Sequence, residues 1–216
     1  MLADATWSCV WPLALNHFGF VGKTPPETWC DRSCQLTIDF FGQPTRQILD
    51  SSKRLKWYRA FTELLLMSCF SELGEKARLA FSGFLQPEFK VEPAAIPINP
   101  ALGDVALLVS SDLVGSLRPK TLEDRVRKSR AKRPKQLWSA WNAILDSDRK
   151  RFLNAVSESV SSFISIEAED DVPPTAVAVF ESALVGIAFK NGWNDLTFSE
   201  EIASRLVTHR SLALIE

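Results

Sequence analysis

Proline placement constrains this chain most. Pro25 and Pro26 sit inside a Thr24–Glu27 capping-box pattern, Pro100 follows Asn99, and Pro173 and Pro174 open another apolar-periodic run. Proline suits the first turn of a helix, where its missing N–H is an orphan anyway. It is excluded from helix interiors and from central strands. Apolar side chains three and four apart follow each of these starts, so the chain reads as a series of capped helices.

Taken in order, a short helix is expected over 4–18, where Trp7, Val10, Trp11, Ala14 and Phe18 share a side and Pro12 interrupts. The capping box predicts a helix over 25–41, with Trp29, Ser33, Leu36 and Phe40 inward; its "QLTIDFF" run also suits a strand. Gly42-Gln43-Pro44 ends that element. A long helix over 45–73 follows, striped by Leu55, Tyr58, Phe61, Thr62, Leu65, Cys69 and Leu73 and closed by Gly74. The Leu64–Met67 block widens its stripe and makes it the candidate central helix. A shorter helix occupies 75–84.

Pro87, Pro93, Pro97 and Pro100 then make 86–100 an extended connector, close to polyproline II in places. It divides an N-terminal helical lobe, 1–85, from a C-terminal lobe, 101–216, or lies as a loop across one single domain. Beyond it, Pro100 opens a helix burying Leu102, Val105, Ala106, Val109, Leu113 and Leu117. Thr121 caps a highly charged helix whose apolar residues are Leu122 and Val126. Pro134 disfavours helical geometry at Arg133 and opens a helix over 135–147, with Trp138, Trp141, Ala143, Ile144 and Leu145. Asp146-Ser147-Asp148 breaks the chain before a helix over 149–165 that buries Phe152, Leu153, Val156, Val160, Phe163 and Ile164. A further helix ends at Asn191-Gly192, and Thr197 with Glu200 starts the last, continued by Ile202, Leu206 and Val207. The expectation is an all-α, irregular helical bundle of roughly eight to ten helices.

Charge supplies the functional signal. Residues 118–135, "RPKTLEDRVRKSRAKRPK", hold nine Lys or Arg against Glu123 and Asp124. The whole chain has 25 basic and 26 acidic residues, so the other 198 positions carry 16 and 24. Concentrated positive charge of this kind suits the phosphates of nucleic acid, whose condensed counterions are released on binding. The residues expected to make those contacts are Arg118, Lys120, Arg125, Arg127, Lys128, Arg130, Lys132, Arg133 and Lys135, extended by Arg149, Lys150 and Arg151. In a continuous helix Arg125, Lys128, Lys132 and Lys135 fall along one edge. Trp138 and Trp141 could stack on unpaired bases, but sharing a stripe with Ile144 and Leu145 marks them as core anchors.

Two other readings of the basic run stand beside this one. The acidic loop at 167–171, with Glu167, Glu169, Asp170 and Asp171, could pair with it internally, or the run could be a solvated face. The alternative function is a protein-interaction module, an adaptor or an inhibitor of the immunity type, acting through the acidic C-terminal part. Residues 158–216 hold ten acids against Lys190, Arg205 and Arg210.

Catalytic signals are sparse. His17 and His209 are the two histidines, and no phosphate-binding glycine loop, H-E-x-x-H or dinucleotide fingerprint is present. The protein is expected not to be an enzyme and to need no cofactor. Cys9, His17, Cys30 and Cys34 form a possible Cys3His zinc set, yet they lack a C-x2-C pair; buried packing is the preferred reading of Cys30 and Cys34, and no bound metal is expected. Asp104 and Asp112 interrupt the longest apolar run, so no membrane span is expected and the chain is read as cytoplasmic.

Overall fold

The computed structural model describes residues 26–41, 55–85, 100–169 and 177–207. The helix expected over 4–18, the first part of the one expected over 45–73, and nearly all of the proline-rich connector lie outside them. So do Pro173 and Pro174. The fold is all-α. Among the described residues there are nine α-helices and one 3-10 turn, with no strand.

The helices are α1 (Pro26–Phe41), α2 (Leu55–Met67), α3 (Gly74–Leu85), α4 (Pro100–Leu113), α5 (Lys120–Lys128), α6 (Lys132–Leu145), α7 (Arg149–Glu169), α8 (Val179–Lys190) and α9 (Glu200–Ala203). Starts at Pro26 and Pro100 match the sequence signals, and "QLTIDFF" lies wholly inside α1. The central position expected of the next helix holds, but α2 ends at Met67 instead of 73, and Gly74, expected to close it, opens α3. Residues 61–71 are buried without interruption, through α2 and the 3-10 turn Ser68–Phe70 that continues it. Two more helices share the centre, since 101–111 of α4 and 180–188 of α8 are buried on every side. One core cluster joins them, from Phe61 and Leu65 through Leu108 and Leu137 to Leu184.

The 3-10 turn is where α1, α3 and α8 converge on α2. Lys190 of α8 donates from Nζ to the carbonyls of Ser68 (3.0 Å) and Ser71 (3.1 Å). Arg78 of α3 donates to Ser68 Oγ at 3.0 Å, and Ser71 Oγ donates to Asp31 of α1 at 2.6 Å. The Ser68 and Ser71 carbonyls, at the point where α2 ends, are thus bound by Lys190 of α8, while the two serine hydroxyls tie the turn to α3 and α1.

Three helices close with the same paired hydrogen bonds. After α4, Ser116 N–H reaches Ser111 O (2.8 Å) and Gly115 N–H reaches Asp112 O (3.1 Å). Gly115 adopts φ 66°, where a side chain would strain the backbone. The expected continuation to Leu117 is therefore cut at Leu113, and Leu117 is exposed instead of buried. Gly192 does the same after α8, as Asn191-Gly192 predicted. After α6 the left-handed position is taken by Ser147, at φ 57°. Replacing Ser147 by Gly should raise the unfolding free energy by about 1 kcal/mol, measured by urea melts, because the penalty for a side chain there disappears.

Asp148 accepts the Arg151 N–H at 3.0 Å and so caps α7, which runs back along α6 as an antiparallel hairpin. The last helix departs from expectation: α9 is one turn long and starts after Ser199 rather than at Thr197. Leu206 and Val207 are buried beyond its end. There Ala178 N–H donates to Arg205 O and Val207 N–H to Ser182 Oγ, stitching the chain to the start of α8. No helix among the described residues is long and apolar enough to cross a membrane.

Candidate nucleic-acid interface

The basic segment is two helices, not one. Continuing a helix through Pro134 would press its ring against the Arg130 carbonyl and leave that carbonyl without a donor. The chain breaks accordingly: Ser129 and Ala131 are extended, with ψ 137° at each, and α5 ends at Lys128. Helix α6 then starts at Lys132, two residues before the proline and earlier than the expected 135, since Pro134 in the first turn lacks only an N–H that has no helical partner. Arg125, Lys128, Lys132 and Lys135 do not form a continuous edge.

Arginines of the segment turn inward. Arg118 forms a two-pronged pair with Asp112 (Nε–Oδ1 2.6 Å, Nη2–Oδ2 2.9 Å) and donates to Asn142 Oδ1 at 3.1 Å. Hydrogen bonding to Asp112 pushes its pKa up further, so it is charged at any working pH. Arg125 pairs in the same way with the buried Asp104 (2.6 and 2.9 Å), fastening α5 to α4 beside the buried Val126. Planar guanidinium and carboxylate match each other in such pairs.

Arg133 makes the most buried of these pairs. Its Nε and Nη2 donate to Glu181 Oε1 and Oε2 at 2.8 and 2.9 Å, and Ser159 Oγ donates to Oε1 at 2.6 Å. Glu181 is fully buried in α8. Burial pushes its carboxyl pKa up, but the Arg133 charge and the hydrogen bonds from Arg133 and Ser159 pull it down, and the net direction is downward. The same two charges face Tyr58, whose phenol is pushed up chiefly by burial. At the surface Arg149 pairs with Asp195 and Arg151 with Asp146.

Lys120, Arg127, Lys128, Arg130, Lys132, Lys135 and Lys150 behave differently. All seven are exposed, and none makes an ion pair among the described residues. Lys132 and Lys135 stand on the first turn of α6, which holds no acid and is preceded by Ala131, a residue with no oxygen to cap it. That helix end is positive from its own peptide dipoles as well. Lys135 is the hub of the surface. It borders a depression between α5 and α6 with Arg127 and Ser139, and it lies midway along the groove of the α6–α7 hairpin. The groove has Lys150 on one stretch and Lys132 on the other.

The polar walls of this groove were not anticipated. Gln136 accepts from Ser162 Oγ at 2.9 Å, while Ser157, Ser161 and Ser165 line α7 at four-residue spacing. That spacing is readable in the sequence as one helix face. Trp138 and Trp141 are core residues, 8% and 3% exposed, as their stripe implied. Trp141 Nε1 donates to Asp112 Oδ2 at 2.6 Å, so the Arg118 partner also orients the core tryptophan.

Cys30 and Cys34 are fully buried in α1, and burial raises the Cys34 thiol pKa; Cys9 and His17 lie outside the described residues. Among the described residues no group of three or more Cys, His, Asp or Glu is placed to hold a metal ion. Asp170 and Asp171 of the acidic loop are likewise outside. Of the acidic residues in 158–216, Glu181 is committed to the core. No family model, no curated protein and no solved structure matches the chain.

Proposed function

We propose that the protein is a non-catalytic, nucleic-acid-binding accessory protein that holds the phosphate backbone with Lys120, Arg127, Lys128, Arg130, Lys132, Lys135 and Lys150. One observation carries this reading. The segment's cations divide into arginines held by internal carboxylates and a set that is exposed without an acidic partner among the described residues. Lys132 and Lys135 stand on one uncapped helix start, and Lys135 with Lys150 and Arg127 borders the adjoining depressions, an arrangement that a merely solvated run does not require. Phosphate contacts of this type position a partner without reading its bases.

Replacing Lys128, Arg130, Lys132 and Lys135 together by Ala should flatten the dependence of log K on log salt by about three units, read by fluorescence anisotropy across a salt series. Each replacement should change folding stability by no more than about 0.5 kcal/mol, because these side chains are exposed and unpaired. Absence of binding at low salt, or an unchanged slope in the quadruple variant, would refute the proposal. Arg125 and Arg133 are unsuitable for this test, since removing either also breaks an internal pair.

A further inference from the structure

On the basis of that reading, we infer that the partner is a duplex rather than a single strand. Among the described residues, three rings lie beside the basic residues, and a guanidinium covers each of them. Arg118 Cζ stands 4.7 Å from the Trp138 ring centroid, Arg133 Cζ 4.6 Å from that of Phe163, and Arg149 Cζ 5.7 Å from that of Trp193. Each of these arginines is in turn fixed by a carboxylate, Asp112, Glu181 or Asp195. Trp193 is also packed edge-on against Phe152 at 5.4 Å.

Proteins that hold single strands without sequence preference rely on open aromatic faces, on which bases stack at a gain of roughly tenfold or more in affinity per base. A base seeking the rings beside this face must first displace a guanidinium and break its ion pair. What the face offers outward is charge and hydroxyls: the lysines, Arg127, Arg130 and the Ser157–Ser161–Ser165 line, with Glu158 as the acid along the groove and Asp148 at one end. A duplex keeps its bases stacked on one another and turns phosphates outward, at one charge per about 1.7 Å of axis. The chemistry on show fits that surface and gains nothing from an unstacked base.

The test uses the full chain, a short labelled duplex and its two separated strands, as DNA and as RNA, all at the same low salt. Anisotropy should give at least about tenfold tighter binding to one of the duplexes than to its matched strands. Emission from Trp138 and Trp193 should change little at saturation, because these two rings stay covered. A single strand that binds as tightly as its duplex, or that strongly quenches tryptophan, overturns the duplex inference. If the quadruple charge variant still loses the salt slope in that case, phosphate binding itself survives. Failure of every probe to bind overturns both.

Discussion

Glu181→Gln should lower the unfolding free energy by about 3–5 kcal/mol at neutral pH, the usual cost of removing one partner from a buried ion pair. The side chain has no access to water, and three donor contacts converge on its two oxygens from Arg133 and Ser159. Amide substitution leaves the Arg133 charge against Phe163 with no counterion on Glu181 and turns two donors toward donors. A double replacement, Arg133→Met with Glu181→Leu, should be less damaging than either single change, because no charge is then left behind. The pH dependence follows from the direction of the shift. Native Glu181 titrates below its ordinary value of 4.5, so its contribution is complete above that value and is lost as pH falls through it toward the native pKa. The gap between wild type and Glu181→Gln in urea melts should accordingly be full at pH 7 and narrow in acid. A variant within about 1 kcal/mol of wild type at pH 7 would show that the pair does not hold α6, α7 and α8 together.

Two glycines of α3 should respond in opposite directions to alanine. A Cβ on Gly74 would collide with the Ser68 carbonyl oxygen and stand 2.7 Å from its carbon, both backbone atoms. The oxygen has little room to retreat, since it already accepts from Lys190. Gly74→Ala must therefore push α3 off the 3-10 turn, at an expected cost of about 3 kcal/mol or more, the upper end for overpacking. Gly83 has nothing within 4 Å of the same added atom. Gly83→Ala should stabilise by about 0.5–1 kcal/mol, the helix propensity difference. Thermal melts of the two variants make the comparison, and equal effects would mean that the contact at Ser68 does not limit the packing.

What the sequence disclosed and what it hid divide by range. Helix starts at Pro26 and Pro100, the stop at Asn191-Gly192 and the core stripe through Phe61 and Leu65 depend on neighbours within a turn or two, and they were legible. The fates of the basic residues were not. Arg133 meets Glu181 across 48 positions and Arg125 meets Asp104 across 21, distances at which no periodicity carries information. Charge density marked the segment but could not sort its internally paired arginines, Arg118, Arg125 and Arg133, from its exposed cations. Local signals were missed too: Gly115 announces the end of α4, and the Pro134 ring forbids the single charged helix. The internal partners came from the apolar helices themselves. Asp104 and Asp112, which look like interruptions of a hydrophobic run, are the anchors of the segment that follows.

Helix α5 is held to the rest by few contacts: the buried Val126, the half-buried Leu122, the Arg125–Asp104 pair whose arginine is half exposed, and a longer Glu123–Arg118 contact at 3.8 Å. Such a docking should cost less to release than the core, and hydrogen exchange is expected to show α5 opening at a free energy below that of the whole domain. The cations it carries, Lys120, Arg127 and Lys128, would then respond separately from Lys132, Lys135 and Lys150. On the proposed reading, a positive surface divided in this way would let its outer part shift against a bound duplex while α2, α4 and α8 stay closed.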